Sequence, residues 1–272
     1  MKRIEINLIH KIKSDCQFTI DTYPDSQVSA TIPDIDPDGT YVIKSRMSSY
    51  QDLFKILALN QVLRDARVKG RQLYCPYILG SRSDKKFNKG QSFDLKLVTD
   101  VLNSCDFDFV SIIDPHSDVL PGLLNRSNVI DAFDGFLSWI SFSKLDWTNR
   151  VIISPDGGAF KKIFPISKKL NLPVITGSKS HDGEDLVTVF NGDISGEDCV
   201  IIDDICDGGR TFEQLGKQLK DLGAKSVILC VTHGIFSKGL KLENIDKIFT
   251  TNSFKSFLET EISNEFQVID IF

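Results

Sequence analysis

Apolar and polar residues alternate along the chain with two periods, one typical of β-strands and one typical of α-helices. In the first half, residues 49–68 carry apolar side chains at helical spacing, and Gly70 follows where a glycine commonly ends a helix. Residues 92–104 show the same helical spacing. Strands are predicted at residues 2–9, 17–20, 27–31, 41–44, 72–77 and 108–114. The first half is therefore predicted to alternate between strands and helices.

The same alternation returns after Arg150. Helices are predicted at 158–170 and 211–222, and a polar loop at 177–185. Strands are predicted at residues 150–154, 173–176, 186–190, 199–203, 226–233, 246–252 and 266–271. Such alternation is typical of α/β proteins with parallel sheets. We therefore predict an α/β fold of two similar domains, 1–146 and 147–272, each with a mainly parallel sheet flanked by helices.

Composition limits the classes of protein that this pattern allows. The chain has 272 residues, 41% of them hydrophobic, and a formal net charge of −5, which is ordinary for a soluble globular protein. The mild acidity argues against nucleic acid as a partner but leaves anionic small substrates open. No apolar run approaches the roughly 18 residues of a membrane span, and the N-terminus lacks a signal pattern. The six cysteines form no CxxC pair, so we predict reduced, buried thiols in a cytoplasmic protein.

The segment 199–212 carries the strongest chemical signal. An apolar run ends in the adjacent acids Asp203 and Asp204, and Asp207-Gly208-Gly209-Arg210-Thr211 then leads into a predicted helix. The carboxyl end of a strand would deliver the acids to the crevice where open α/β sheets bind ligands. Glycine backbone and a helix N-terminus favour a phosphate group, while carboxylates suit sugar hydroxyls or hydrated Mg²⁺. A phosphorylated sugar fits this loop, although an ordinary strand-to-helix turn would use similar residues.

Several other segments contain polar residues in a distinctive order. These segments are Tyr23-Pro24-Asp25-Ser26-Gln27, Pro76-Tyr77 with Arg82-Ser83-Asp84-Lys85, Asp114-Pro115-His116, Ser154-Pro155-Asp156-Gly157-Gly158, Lys179 and Cys230-Val231-Thr232-His233-Gly234. Together with 199–212, which looks like a phosphoribosyl pyrophosphate binding loop, they resemble the ribose-phosphate pyrophosphokinase family over almost the full chain. That resemblance implies two domains of the type I phosphoribosyltransferase fold. It also implies an active site between them.

The resemblance implies a role for each of these residues. ATP binding falls to Tyr23, Asp25, Gln27, Arg82, Asp84, Lys85 and His116, with the adenine held partly by a neighbouring subunit. His116 and Asp156 are implied to bind a Mg²⁺ cofactor, and Lys179, Asp203 and Asp204 to be catalytic. The implied ribose-phosphate-binding residues are Asp203, Asp204, Asp207, Gly208, Gly209, Arg210 and Thr211. The implied reaction transfers the β,γ-diphosphoryl group of ATP to the anomeric hydroxyl of a 5-phosphorylated ribose and releases AMP. The implied assembly is a homo-oligomer, a dimer or a hexamer built from dimers.

Three departures from the family pattern leave the acceptor open. The family's loop reads Asp-Thr-Gly/Ala-Gly-Thr, so Gly208 replaces a threonine and Arg210 replaces a glycine. Ser180 and His181 follow Lys179 in place of arginines, and Ser26-Gln27 replaces Gly-Glu. Arg210 would suit a second phosphate, as in ADP-ribose. The loop also resembles that of a phage-type branch of the family, some of whose members act on ADP-ribose in NAD⁺ metabolism. Ribose 5-phosphate and ADP-ribose are equally compatible with the sequence. A phosphoribosyltransferase that uses phosphoribosyl pyrophosphate, and a non-catalytic regulatory relative, remain alternatives.

Overall fold

The chain divides into two compact units. The computed structural model describes residues 2–138, 145–155, 157–182 and 185–272, and the side chains of 157, 158, 179–182 and 185–188 are outside that description. The first unit is Met1–Asp131 with Ser253–Lys255 and Phe272, and the second is Ala132–Asn252 with Ser256–Ile271. No helix in the described part of the chain is both long and apolar enough to cross a membrane.

The first unit is built on a five-stranded parallel sheet in the order β1-β4-β5-β6-β7. Its strands are β1 (Arg3–Asn7), β2 (Thr19–Thr22), β3 (Val28–Thr31), β4 (Thr40–Lys44), β5 (Gly70–Tyr74), β6 (Phe109–Ile113) and β7 (Ser127–Ile130), and its helices are α1 (Tyr50–Asp65), α2 (Asp94–Ser104) and α3 (Val119–Leu123). Strands β2 and β3 form a separate antiparallel hairpin. Strand β7 and helix α3 are not among the elements predicted from the sequence.

Helix α1 forms where the apolar spacing predicts it. The Ser49 hydroxyl accepts a hydrogen bond from the Asp52 amide, and the Asp52 carboxylate accepts one from the Ser49 amide, so the helix begins in a capping box. Leu53, Ile56 and Leu63 recur at helical spacing and are buried in the core of the first unit.

The second unit contains a seven-stranded sheet in the order β10-β9-β8-β11-β12-β13-β14. Its elements are β8 (Arg150–Ser154), α4 (Gly157–Leu170), β9 (Val174–Asp182), β10 (Asp185–Phe190), β11 (Asp198–Cys206), α5 (Arg210–Asp221), β12 (Ser226–Gly234), β13 (Lys247–Thr251) and β14 (Phe266–Ile269). All pairs are parallel except β9 with β10. The predicted α/β fold, with mainly parallel sheets, is confirmed.

Two predicted element boundaries are wrong. Within the polar segment 177–185, which the sequence predicts as a loop, Gly177–Asp182 continues β9 and pairs with β10 as an antiparallel ribbon. Strand β11 also continues past Asp203 to Cys206. In both places the strand continues through polar residues because its backbone pairs with a neighbouring strand, and a prediction from apolar residues does not detect this pairing.

The division between the units falls between Asp131 and Ala132, earlier than the 146/147 boundary expected from the sequence. The physical reason lies in the residues before β8. Phe136, Leu137 and Trp147 are buried in a core cluster of the second unit. This cluster also contains Ile163 and Ile166 of α4.

The six cysteines are all free thiols, as expected. Cys16 is half-buried and the other five are buried. Burial raises the pKa of the Cys105 and Cys199 thiols to about 11. Such thiols stay protonated near neutral pH and behave as small apolar side chains.

Candidate functional site

The acidic pair lies on β11 where the pairing with β8 has ended. Ladder pairs with β8 run from Asp198 to Ile201, whereas pairs with β12 continue to Cys206. Asp203 and Asp204 therefore lie beyond the carboxyl end of β8 and keep a strand neighbour on one side only. This position agrees with the expectation that the two acids lie at the edge where an open sheet binds ligands.

The Asp204 carboxylate is buried and faces a cation. Val200 and Ile202 pack in the core cluster with α4, and alternation along β11 places Asp204 on that same side. Its Oδ1 lies 3.6 Å from Nζ of Lys162 in α4, and the side chain is 8% exposed. A buried carboxylate needs a partner of this kind because leaving water is costly for a charge.

Asp203 has an unusual protonation equilibrium. Burial and the adjacent Asp204 carboxylate raise the pKa of Asp203 to about 7 from its ordinary 3.8. The Asp204 amide donates a hydrogen bond to Asp203 Oδ1 at 2.8 Å, which opposes the rise. A carboxyl that gains its charge near neutral pH, beside a second carboxyl, marks a candidate functional position.

This raised pKa predicts a pH-dependent stability. The folded protein holds a proton on Asp203 that the unfolded chain loses near pH 3.8. The resulting stabilisation is full below that pH and is lost as pH rises through about 7. In metal-free buffer, Asp203→Asn should therefore gain Tm relative to the parent protein as pH rises from 4 to 8, by several degrees or more. A Tm difference that stays constant over this range in thermal scans would contradict the shift.

Helix α5 begins at a glycine with a left-handed backbone. Gly209 has φ of 80° and precedes Arg210, and its carbonyl accepts hydrogen bonds from the Phe212 and Glu213 amides. A Cβ at Gly209 would collide with Cδ2 of the buried Leu242. Among the described residues, the N–H groups of residues 208–211 have no hydrogen-bond acceptor. These N–H groups suit an anion at the helix N-terminus.

A short segment after β12 packs against the β11–α5 connection. The Ser237 hydroxyl donates a 2.6 Å hydrogen bond to Oδ1 of Asp207, and the Ser237 amide donates one to the Asp207 carbonyl. Asp207, expected to bind the ribose phosphate, thus also holds a neighbouring loop in place. The segment includes Lys238, whose side chain lies against Gly208.

The predicted adenine-side residues lie at the tip of the β2–β3 hairpin. Tyr23, Asp25 and Gln27 are exposed, and Tyr23 is 50% exposed. The tip is ordered by local hydrogen bonds: the Tyr23 amide donates to the Gln27 carbonyl, and the Gln27 amide donates to Asp25 Oδ1. A structured and exposed tip is suited to contact with another molecule.

The other ATP-side residues follow β5 and β6 in the first unit. Arg82 and Lys85 are exposed in the loop between β5 and α2, with Asp84 half-buried between them. His116 is exposed just after β6, two residues beyond the buried Asp114, whose φ is 44°. Because β5 and β6 are parallel neighbours, both loops leave the same edge of the sheet. The structure therefore brings these predicted residues to one edge of the first unit.

Two predicted residues can be placed only in part. Lys179 lies in β9, where its backbone pairs with Thr188 of β10. Pairing between β8 and β9 ends at Thr176, so Lys179 lies on a two-stranded ribbon beyond the carboxyl end of β8, the same edge at which Asp203 lies. Asp156 is outside the described residues.

The donor groups of the described residues suit a metal ion that takes most of its ligands from substrate and water. They contain no cluster of three or more His, Cys, Asp or Glu side chains that would hold a metal ion alone. Mg²⁺ commonly uses one or two carboxylates, water and substrate phosphates. Asp203 and Asp204 in the second unit, and Asp114 and His116 in the first, offer small donor sets of that kind.

Comparison with known proteins identifies the class of the chain. Residues 122–262, more than half of the chain, match the family model for the phosphoribosyl transferase domain. The chain therefore belongs to the phosphoribosyl transferase domain family. The match includes the acidic pair and the entire β11–α5 connection.

The similarity to individual proteins extends over nearly the whole chain. Ribose-phosphate pyrophosphokinase 2 from Saccharomyces cerevisiae is 28% identical over 258 residues, covering 90% of this chain and 80% of the relative. Ribose-phosphate pyrophosphokinase from Thermosipho africanus is 24% identical over 95% of this chain and 83% of the relative. The predicted resemblance to the ribose-phosphate pyrophosphokinase family is thereby confirmed.

A solved structure supports the fold independently. The phosphoribosylpyrophosphate synthetase from Mycobacterium smegmatis matches with a TM-score of 0.79 and 22% identity, covering 94% of this chain and 86% of that one. Such a likeness places both α/β units in the same architecture. It confirms the fold class expected from the alternation of strands and helices.

Two site residues are absent from the sequence-based predictions. Lys162 lies on α4 and reaches Asp204, and Lys238 is separated from Gly208 along the chain by α5 and β12. The loops that follow adjacent parallel strands lie side by side, but the sequence pattern does not give the strand order that brings Lys238 to Gly208. No local pattern marks Lys162 among the lysines of α4.

Proposed function

We propose that this chain transfers the β,γ-diphosphoryl group of ATP to the anomeric hydroxyl of a 5-phosphorylated ribose. The observation that carries the proposal is the β11–α5 connection: an acidic pair on β11, followed by Gly209 and a helix N-terminus with unused N–H groups. Carboxylates suit the ribose hydroxyls, and the N–H groups suit the 5-phosphate. The names of the relatives point to the same reaction class.

The first unit supplies the ATP contacts in this proposal. Arg82 offers a planar fork to phosphate oxygens and Lys85 a point charge. His116 would hold a Mg²⁺ ion, a role that the family resemblance also gives to Asp156 of the second unit, and the ion when bound would neutralise phosphate charge. The exposed hairpin tip with Tyr23, Asp25 and Gln27 would contact the adenine bound by a second copy of the chain, and a homo-oligomer is part of this proposal.

The chemistry is an in-line displacement at phosphorus. The anomeric hydroxyl gives up its proton to water as its oxygen forms a bond to the β-phosphorus, and the bond from that phosphorus to the oxygen shared with the α-phosphorus breaks, so that AMP leaves. Asp203 and Asp204 orient the sugar hydroxyls, and Asp207, Gly208, Gly209, Arg210 and Thr211 position its 5-phosphate. Lys179 stabilises the charge on the transferred group. Positioning and charge stabilisation account for most catalysis of phosphoryl transfer.

Ribose 5-phosphate is the acceptor that the relatives' names favour. One observation favours ADP-ribose as a second candidate: Arg210 is exposed at the first position of α5, immediately after Gly209. A guanidinium there would pair with a second phosphate attached to the first. A diphosphate acceptor would use both the helix N–H groups and this side chain.

Mass spectrometry of the products tests the reaction and the acceptor together. The purified protein is incubated with ATP and Mg²⁺ and with ribose 5-phosphate or ADP-ribose in separate reactions. The proposal expects AMP and an acceptor heavier by one diphosphoryl group. Release of no AMP with either acceptor would refute it and favour the regulatory alternative. Consumption of phosphoribosyl pyrophosphate with a nucleobase, in parallel reactions, would favour a phosphoribosyltransferase.

Arg210 provides a prediction about acceptor choice. Arg210→Gly should reduce kcat/KM for ADP-ribose by about tenfold more than for ribose 5-phosphate, because a charged hydrogen bond to the second phosphate is lost. Arg210→Lys keeps the charge and should retain part of the difference. Steady-state rates with both acceptors measure the effect, and equal losses with both would exclude a role in acceptor choice.

A further inference from the structure

The segment Ile235–Gly239 is fastened to the β11–α5 connection at several points. The amides of Ile235 and Phe236 both donate to the Cys206 carbonyl, at 2.8 and 3.1 Å. The Ser237 amide and hydroxyl bind the Asp207 carbonyl and carboxylate. These four hydrogen bonds fix the backbone that precedes Lys238 relative to the β11–α5 connection.

A buried aromatic side chain anchors the same segment. Phe236 is 2% exposed and packs edge-on against Phe266, with ring centroids 5.5 Å apart, and against Phe257. Its backbone has φ of 46°, which an L-residue adopts only when its surroundings require it. The position of the Lys238 backbone is therefore set by the core and by the β11–α5 connection together.

The Lys238 side chain lies across Gly208. A Cβ built at Gly208 would be 3.4 Å from Cδ, 3.5 Å from Cε and 3.7 Å from Cγ of Lys238. The aliphatic carbons of Lys238 therefore lie in van der Waals range of a Cβ at position 208. Since Nζ is bonded to Cε, the ammonium group lies within a few ångströms of the Gly208 backbone. No hydrogen bond or ion pair involves this ammonium among the described residues.

We propose that Lys238 is a binding residue for the phosphate group of the acceptor. The proposal rests on the proposed function, because it assumes that the N–H groups of residues 208–211 receive a phosphate. The lysine stem lies in van der Waals range of position 208, and the hydrogen bonds of the segment Ile235–Gly239 hold the lysine beside the loop. Lys238 then adds a cation to a loop that Arg210 flanks on the other side of Gly209. Acceptors with a charged phosphoester are favoured over the free sugar.

The first variant separates charge from packing. Lys238→Met keeps an unbranched stem against Gly208 and removes the ammonium group, whereas Lys238→Arg keeps a cation. Lys241→Met is the matched control, since Lys241 is exposed on the same stretch of chain and has no contact with Gly208. The three variants alter two exposed positions, and unchanged Tm values confirm folding.

Isothermal titration calorimetry with ribose 5-phosphate, and separately with ribose, tests the proposal without catalysis. Lys238→Met should weaken ribose 5-phosphate binding about tenfold or more, the loss of one charge-assisted contact. Lys238→Arg and Lys241→Met should stay within about threefold of the parent protein. In steady state, KM for the acceptor should rise while KM for ATP stays constant. Equal binding by Lys238→Met and the parent protein would overturn the proposal. Failure of the parent protein to bind either ribose 5-phosphate or, in a parallel titration, ADP-ribose would instead refute the proposed function, and this proposal with it.

Discussion

Replacing Lys179 with alanine should lower kcat by about a hundredfold or more, because a preorganised cation that stabilises transition-state charge commonly contributes that much. Lys179 lies on the β9–β10 ribbon beyond the carboxyl end of β8, at the edge of the sheet that also carries Asp203. Stopped-assay measurement of AMP release under saturating ATP and acceptor gives kcat directly. The KM for the acceptor should change much less, since the contact is made to the transferred group.

The matched control for this prediction is Lys217→Ala. Lys217 is exposed on α5 and pairs with Asp221 one turn later, an interaction that contributes little to stability. The control should leave kcat within about twofold, given that surface pairs of this kind contribute less than about 1 kcal/mol. Equal rates for Lys179→Ala and the parent protein would show that another residue stabilises the transferred group and that Lys179 has been misplaced in the mechanism.

The surroundings of Lys179 also illustrate where sequence patterns fail. Residues 177–185 read as a loop because they are polar and bounded by glycines. Gly177–Asp182 instead forms one strand of an antiparallel ribbon, held by backbone pairing from Gly177 with Phe190 to Asp182 with Asp185. The residues of Gly177–Asp182 are all small or polar, and their pairing is made through backbone groups, whereas the apolar residues 186–190 of the partner strand do predict a strand. Hydrophobic periodicity cannot detect Gly177–Asp182 as a strand.

The acidic pair and the β11–α5 connection, by contrast, can be recognised from the sequence. The acids, glycines and helix start are all local, and the sequence alone is enough to assign them to one connection. The partners of that loop are not local. Lys162 meets Asp204 from the helix that packs on the sheet, and Lys238 meets Gly208 from the loop after the next strand. Predicting them requires the strand order β8-β11-β12, which the sequence pattern does not provide.

Gly209→Ala should be the most damaging small substitution in this loop. Alanine would have to adopt φ near 80° and would place its Cβ against the buried Leu242. Each effect costs about 1–3 kcal/mol, the first as backbone strain and the second as overpacking. We expect Tm to fall by several degrees, since 1 kcal/mol corresponds to about 2–4 °C in a chain of this size. Binding of ribose 5-phosphate should weaken more than tenfold, because the N–H groups of residues 208–211 would move.

Two other glycines separate these effects. Gly196→Ala imposes the same left-handed backbone, φ 77°, at a turn where a Cβ would meet nothing within 4 Å, so it should lower Tm without altering acceptor binding. Gly208→Ala keeps an ordinary backbone and places its Cβ 3.4 Å from the Lys238 stem, so its effect on Tm should be small. Thermal unfolding and calorimetry on all three variants measure both quantities. If Gly209→Ala lowers Tm no more than Gly196→Ala does and also leaves acceptor binding unchanged, then neither the contact with Leu242 nor the backbone conformation of Gly209 shapes the phosphate site.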